Sequence, residues 1–85
     1  MPTKPSTSVA TAFGLVLRKH REAKGWSQMQ LAMEADMHLN AVGNLERGTH
    51  NPSLRTVFIL CRAMGVPTDK FVKEVEQRLG GHSNL

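Results

Sequence analysis

The spacing of helix start and stop signals between Ser27 and Gly48 restricts the fold of this chain more than any other feature of its sequence. Ser27 is a favoured helix N-cap, and Gln30 three residues later completes a capping box, so a helix begins here. This helix is about two turns long, because Asp36 precedes a second start signal at Met37 or the residue after it. Gly48 ends the second helix as a left-handed cap. Two short helices joined by such a short turn predict a helix-turn-helix unit.

Three further helices flank this unit in the sequence. The first runs from Val9 to Gly25, the fourth from Pro52-Ser53 to Gly65, and the fifth from Pro67-Thr68 to Gly80-Gly81. Apolar residues recur at helical spacing in these segments, and no strand pattern interrupts them. The sequence therefore predicts an all-α fold, a compact five-helix bundle over residues 9–79. A disordered lead-in at residues 1–8 and a flexible tail at residues 80–85 complete the chain.

The composition favours a soluble chain with a phosphate-bearing partner. Lys and Arg number 11 against 7 Asp and Glu, which gives a formal net charge of +4. The single cysteine, Cys61, excludes an intramolecular disulfide and suits a reducing compartment. The N-terminus has no apolar signal core, and no apolar run approaches about 18 residues. We therefore expect a cytoplasmic protein with no membrane segment.

Three stretches in the chain, FGLVLRKHREAKGWSQMQLA, LERGTHNPSL and AMGV, carry a resemblance to a known family. They contain the pairs Ser27-Gln28 and Leu31-Ala32, then Leu45-Glu46-Arg47-Gly48 and Asn51-Pro52. In this order and at these separations they resemble the Xre/Cro-like helix-turn-helix family of lambda-repressor-like domains. The resemblance covers roughly 60 of the 85 residues. The stretch GNLERG is similar in particular to restriction–modification controller proteins.

The resemblance implies a small transcriptional regulator, encoded by a bacterium or a phage, that binds double-stranded DNA sequence-specifically. The recognition helix, at about residues 38–47, would lie in the major groove of a palindromic operator. Members of the family usually bind as two-fold dimers, so a homodimer is expected here.

The predicted base contacts lie at the start and on the outward face of the recognition helix: His38, Leu39, Asn40, Gly43 and Asn44. Asn40 and Asn44 are four residues apart on one face, and each can make bidentate hydrogen bonds to an adenine edge. Leu39 can pack on a thymine methyl group. Gly43 has two open explanations, either sequence drift or a close approach to the DNA.

Phosphate contacts are predicted on either side of this helix and in the first helix: Arg18, Lys19, Ser27, Gln28, Arg47, Thr49, His50, Asn51 and Ser53. At Gln28 the free backbone N–H groups of a helix N-terminus and the side-chain amide can serve one phosphate oxygen. The resemblance also implies that Arg21 and Glu46 form a partly buried structural ion pair, which ties the first helix to the end of the recognition helix.

Two sets of apolar residues predict protein contacts. Dimer candidates on the fourth and fifth helices are Ile59, Phe71, Val75 and Leu79. Met29 and Met33 lie four residues apart on the second helix, at positions that are normally charged in the family that the chain resembles. They predict a contact with another protein. A second function therefore stays open, in which the chain is a protein-interaction module, such as an antitoxin or a regulator adaptor, on the same fold.

The sequence does not indicate an enzyme, a metal site or a cofactor. The four histidines and Cys61 lack ligand spacings such as CxxC or HxxxH, and there is no Gly-rich phosphate loop. His20 is expected to be a partly buried side chain with a hydrogen-bonding partner. Asp36 stands where the family often has glycine, and we expect it to tolerate the left-handed conformation of the turn.

Overall fold

Five helices follow one another along residues 8–79, which are the residues that the computed structural model describes. Their bounds are α1 Val9–Ala23, α2 Gln28–Ala35, α3 Leu39–Arg47, α4 Leu54–Met64 and α5 Thr68–Arg78. This part of the chain contains no strand, and the prediction of an all-α, five-helix architecture is confirmed. None of these helices is long and apolar enough to span a bilayer. The predicted tail at 80–85 and residues 1–7 of the predicted lead-in lie outside the described residues.

Serine side chains begin three of the helices. Ser8, Ser27 and Ser53 have extended backbones, and each Oγ accepts the backbone N–H three residues on, at 3.1, 3.0 and 3.0 Å. Each bond satisfies one of the unpaired N–H groups in the first turn of a helix. Ser8, which we predicted to lie in the disordered lead-in, is therefore part of the folded domain.

Only one of the two hydrogen bonds of the capping box predicted at the start of α2 is formed. The backbone N–H of Gln30 donates to Ser27 Oγ, but the Gln30 side chain donates to Glu34 Oε2 at 3.2 Å. Glu34 lies one turn ahead on the same face of the helix, and its ionised carboxylate is a stronger acceptor than a neutral group. The Gln30 amide therefore supports α2 along its length and does not return to its N-cap.

Side chains from all five helices meet in one core. The largest fully buried ones are Phe71, Leu17, Leu31, Leu60, Val16, Val42 and Cys61. The rings of Phe13 and Phe71 lie 5.3 Å apart between centroids, which joins α1 to α5. Burial of these apolar side chains is the main favourable contribution to the stability of the bundle.

Two of the predicted dimer contacts lie inside this core. Phe71 is fully buried and Val75 is 7% exposed, whereas Ile59 and Leu79 are partly buried against the core. The buried stripe of α5 packs on α1 of the same chain, so the fold of one subunit already covers it. Phe71 and Val75 are thus core residues, which corrects the prediction that they contact a second copy.

A glycine sets the distance between α1 and α3. A Cβ atom on Gly14 would lie 2.5 Å from the carbonyl oxygens of both Leu45 and Glu46. Only a residue without a side chain allows two helix backbones to approach so closely. Gly14 therefore fixes the depth at which α3 is seated on the rest of the molecule.

A carboxylate on α5 holds two side chains of α1. Glu74 Oε1 accepts a hydrogen bond from Lys19 Nζ at 3.0 Å and lies 3.0 Å from His20 Nε2. Burial by itself would raise the pKa of Glu74, but the hydrogen bonds from Lys19 and His20 lower it on balance. His20 is 16% exposed in its side chain and has the hydrogen-bonding partner that we expected.

Candidate nucleic-acid interface

Three residues connect α2 to α3. The first, Asp36, adopts the left-handed conformation with φ 54° and ψ 49°, which Asp tolerates better than most side chains. The N–H of Met37 then donates back to the carbonyl of Ala32 at 2.8 Å and closes the end of α2. His38 is the N-cap of α3, although its side chain makes no capping hydrogen bond. The turn thus forms with Asp in place of glycine, and it directs the start of α3 away from α2.

A buried ion pair joins α1 to the end of α3. Arg21 Nε and Nη2 donate to the two carboxylate oxygens of Glu46 at 2.6 and 3.0 Å, and Nη1 donates to the carbonyl of Trp26 at 2.7 Å. The side chains of Arg21 and Glu46 are only 10% and 4% exposed. The hydrogen bond with Glu46 raises the pKa of Arg21, so the guanidinium stays charged. This bidentate pair holds α3 against α1 and has a structural role.

The same carboxylate holds Gln28 at the start of α2. Gln28 Nε2 donates to Glu46 Oε1 at 3.0 Å, and Gln28 Oε1 lies 3.7 Å from the position that a Cβ atom would take on Gly43. One N–H of this amide is thus used within the protein, and the second is free for another acceptor. Within residues 8–79, the backbone N–H groups of Gln28 and Met29 make no backbone hydrogen bond. The N-terminus of α2 therefore keeps several donors for an anionic ligand.

The outward face of α3 is open and nearly uncharged. Leu39 is 40% exposed, His38 and Asn40 are exposed, and Asn44 is partly exposed. Arg47, in the last turn, is the exposed charged residue of the helix. This face can therefore form hydrogen bonds and apolar contacts with a ligand, but it has little charge to offer.

Gly43 does not lie open on this face. It is buried, and the Arg47 guanidinium covers it, with Nη1 3.1 Å from the position that a Cβ atom would take. Arg47 Nη2 also donates to Asn44 Oδ1. The predicted base contact by Gly43 is therefore corrected, because a side chain from the next turn of the same helix lies over it. The close approach at this glycine is made by Arg47.

The loop after α3 presents polar groups beside the end of that helix. Thr49 Oγ1 donates to the carbonyl of Asn44 at 3.1 Å and lies 3.1 Å from His50 Nδ1. His50 and Asn51 are exposed. Ser53 Oγ caps α4 and, like that of Ser27, is already engaged within the protein. The backbone N–H of Thr49 also donates to the carbonyl of Asn44, at 3.1 Å, so the available donors of this segment lie at His50 and Asn51.

The two predicted phosphate contacts on α1 are already paired with carboxylates. Arg18 Nε lies 2.9 Å from Glu22 Oε2, and Lys19 Nζ lies 3.0 Å from Glu74 Oε1. The hydrogen bond from Arg18 lowers the pKa of Glu22, so Glu22 is a charged partner at neutral pH. The Arg18–Glu22 pair is exposed on both sides, and an ion pair of this kind contributes little to stability and opens readily, whereas Glu74 in the second pair is only 18% exposed. In the free protein, α1 thus offers less unpaired positive charge than its sequence suggests.

Exposed apolar side chains on α4 and α5 form a surface that the sequence patterns did not reveal to us. Leu54 is 69% and Phe58 51% exposed, and together with Arg55 and Arg62 they line a groove of about 460 Å³. Leu54 and Val72, which is 48% exposed, line a second groove of about 280 Å³. We call Leu54, Phe58 and Val72 the α4–α5 apolar surface. The four-residue spacing of Leu54 and Phe58, away from the buried face of α4, is the signal that could have found it.

A separate exposed apolar pair lies on α2. Met29 is 53% and Met33 68% exposed, while Leu31, Ala32 and Ala35 of the same helix fill the core. The two methionines are four residues apart and so lie on one side of α2. They form a second, smaller apolar surface on the molecule.

The described residues include no group of three His, Cys, Asp or Glu side chains that could hold a metal ion. Cys61 is buried in α4, and burial raises the pKa of its thiol. A thiol with a raised pKa is largely protonated at neutral pH and is a poor nucleophile. Cys61 is accordingly a core residue.

Known proteins are similar to this chain in sequence. Residues 17–71 match the family model described as helix-turn-helix. The chain is similar to the control protein C.BamHI of Bacillus amyloliquefaciens, with 36% identity over 62 residues, which cover 72% of this chain and 76% of that protein.

Solved structures of regulators superpose on the five helices. The clp gene regulator ClgR of Corynebacterium glutamicum matches with a TM-score of 0.85 and 25% identity, covering 91% of this chain and 99% of that one. The restriction–modification controller protein C.AhdI of Aeromonas hydrophila matches with a TM-score of 0.70 and 35% identity, covering 73% of this chain and 94% of that one.

Proposed function

This chain belongs to the helix-turn-helix family of the Xre/Cro-like type and is a DNA-binding transcriptional regulator, and we propose that it reads its operator by placing α3 in the major groove. The observation that carries the proposal is the open, nearly uncharged outward face of α3. Gly14 and the Arg21–Glu46 pair seat this helix firmly on α1. An α-helix fits the major groove, where each base pair presents a distinct pattern of donors and acceptors.

Phosphate contacts in this proposal come from the segments on either side of α3. Before α3, the backbone N–H groups at the start of α2 and the second N–H of the Gln28 amide face an oxygen of the DNA backbone. After α3, His50 and Asn51 supply further donors, whereas both donors of Thr49 are engaged with the carbonyl of Asn44. Arg18 and Lys19 join them once their surface ion pairs open, because a phosphate replaces the carboxylate as the partner.

Base contacts in this proposal come from His38, Leu39, Asn40 and Asn44. Asn40 is exposed and can serve both N6 and N7 of an adenine, and Leu39 can cover a thymine methyl group. Sequence reading needs hydrogen bonds and shape, whereas charge mainly serves the phosphates. The low charge of α3 is therefore compatible with DNA binding.

The proposed assembly is a two-fold dimer on a palindromic operator, with recognition helices about 34 Å apart. The α4–α5 apolar surface is the proposed contact, with Ile59, which lines the same groove as Leu54 and Phe58, at its margin. Leu79, partly buried against the core, stays a further candidate. This surface replaces the part of the predicted interface that lies in the core. An exposed apolar surface of this kind on a small domain is typical of a protein contact.

A second function is supported by one observation, the exposure of Met29 and Met33. In this alternative the chain is a protein-interaction module, such as an antitoxin or a regulator adaptor, and its partner covers α2. We favour the DNA-binding function because the match to the family includes the whole helix-turn-helix unit.

The test is the affinity for a random-sequence DNA duplex as a function of salt. A dimer that makes about 6–10 phosphate contacts should lose roughly 10³–10⁵ in affinity between about 50 and about 200 mM salt. Met33→Ala removes an exposed apolar side chain without changing charge or donors, and this control should keep the same slope. Absence of binding at low salt, or an affinity that does not respond to salt, would contradict the proposal.

A further inference from the structure

The side chains around Gly43 restrict what the last two turns of α3 can recognise. Arg47 folds back over Gly43, with Nη1 3.1 Å and Cζ 3.9 Å from the position that a Cβ atom would take. Any larger residue at this position would press on the guanidinium. The absence of a side chain at Gly43 therefore allows the Arg47 guanidinium to pack against its own helix.

Arg47 in this position is bonded to Asn44. Arg47 Nη2 donates to Asn44 Oδ1 at 2.5 Å. A guanidinium has five N–H donors and no acceptor, so Asn44 must turn its oxygen toward Arg47 and leave its NH₂ group for other partners. A second donor could reach the same oxygen only beside the guanidinium charge, which repels the positive end of an N–H group. The free groups of Asn44 and Arg47 are thus donors.

We propose that Asn44 and Arg47 form a donor-only pair that recognises guanine in the major groove. This inference rests on the proposed function, because it concerns the base that faces α3, and it assigns Arg47 to a base instead of the phosphate contact predicted from the sequence. Guanine presents two neighbouring acceptors, N7 and O6, whereas adenine presents N7 beside the N6 donor, cytosine presents the N4 donor and thymine has one acceptor, O4. Only guanine offers two acceptors side by side to a pair of groups that can only donate.

Asn40 provides the contrast within the same helix. It is exposed, and its amide makes no side-chain hydrogen bond among residues 8–79. Asn40 therefore keeps both a donor and an acceptor and can match adenine in the bidentate way. Two asparagines four residues apart on one face differ in the base they recognise, because only Asn44 is held by an arginine.

The experiment is selection from a library of DNA duplexes with a randomised centre, followed by sequencing of the bound fraction. The proteins are the wild type, Asn44→Ala, Arg47→Ala and Arg47→Lys, with Asn40→Ala as the matched control. Circular dichroism verifies that each variant is folded, which is expected because these side chains lie on the surface.

The wild type should enrich guanine at one position of each half-site. Asn44→Ala and Arg47→Ala should both lose that preference, at the same position, by about 5-fold to 100-fold, since a bidentate base contact discriminates by roughly that factor. Arg47→Lys keeps the charge and can still only donate, but it lacks the planar fork, so it should retain affinity for random DNA and a reduced guanine preference. Asn40→Ala should keep the guanine and change a different position.

Three other outcomes overturn the inference, and only the first of them also contradicts the proposed function. A wild-type protein that binds no duplex overturns both. A selected motif in which Asn44→Ala removes an adenine while Arg47→Ala weakens all sequences equally overturns the donor-only pair, because Asn44 then leaves Arg47 and Arg47 contacts phosphate. A guanine that neither variant affects overturns it as well.

Discussion

Two glycines inside helices illustrate how single residues shape this molecule. Gly14 and Gly43 have the same helix propensity, and in the sequence they look alike. At Gly14 a Cβ atom would meet backbone carbonyl oxygens of α3 at 2.5 Å, whereas at Gly43 it would meet the end of the Arg47 side chain at 3.1 Å. The backbone of a packed helix cannot yield, but the end of an arginine can. The first glycine is therefore required by the fold, and the second positions a side chain.

The two glycine-to-alanine variants should consequently differ in stability. Alanine gains about 1 kcal/mol of helix propensity at either site. At Gly14 overpacking against backbone should outweigh this gain and leave a net loss of about 1 kcal/mol or more. Gly43→Ala should be neutral or slightly stabilising. Urea denaturation measures both, and a Gly14→Ala protein at least as stable as the wild type would show that α1 and α3 are not in the contact described.

The buried ion pair gives a second prediction at the residue scale. Glu46→Ala leaves the Arg21 guanidinium buried without its partner, which should cost about 3–5 kcal/mol in the free energy of unfolding. The double variant Arg21→Met with Glu46→Leu removes both charges and should recover a large part of that loss. Glu22→Ala, which breaks the exposed pair with Arg18 and leaves the hydrogen bonds between Arg21 and Glu46 in place, is the control and should leave stability nearly unchanged. A loss for Glu46→Ala no larger than that of the control would contradict a structural role for the pair.

At the scale of the helices, we expect the attachment of α5 to α1 to depend on pH. Glu74 has a pKa below its ordinary value of 4.5 because Lys19 and His20 donate to its carboxylate. A carboxylate with a depressed pKa contributes stability above its unfolded-state pKa, and this contribution is lost as the pH falls through the folded-state value.

A comparison of the stability of the wild type with that of Glu74→Gln tests this expectation. The wild type should be the more stable protein at pH values above about 4.5, and the difference should shrink below that pH as Glu74 becomes protonated. Thermal unfolding followed by circular dichroism between pH 3 and pH 7 measures this difference. A difference that stays constant across the range would mean that the charge of Glu74 does not hold α5 on α1.

The existence and order of the five helices could be predicted from the sequence, because caps and stop signals are local. Ser27, Ser53 and the left-handed residues at the helix ends act within a few residues of themselves. Which part of the protein the apolar face of a helix packs against is not determined by neighbouring residues in the sequence. The stripe containing Phe71 and Val75 looks the same in sequence whether it faces α1 or a second subunit, and only packing decides. Whether the Arg47 side chain covers Gly43 likewise depends on the rotamer that Arg47 adopts.

At the scale of the whole molecule, the α4–α5 apolar surface is the proposed contact between two copies of the chain. Phe58→Glu places a charge at its centre and should convert a dimer into a monomer at micromolar concentrations, because the charge would have to be desolvated in the interface. Met33→Glu adds the same charge to an apolar residue on α2 that is still more exposed, 68% against 51%, and is the control. Sedimentation equilibrium measures the mass. A Phe58→Glu protein that remains dimeric, or a loss of the dimer only with Met33→Glu, would place the interface elsewhere.

In the proposed function, a nearly uncharged α3 reads bases while the segments on either side of it hold phosphates. The most direct measurement is the ratio of affinities for the duplex selected from a random library and for a scrambled duplex of the same composition, at one fixed salt concentration. We predict that the selected duplex binds about 10³-fold or more tightly, as in other specific protein–DNA complexes. Equal affinities for the two duplexes would contradict sequence reading by α3.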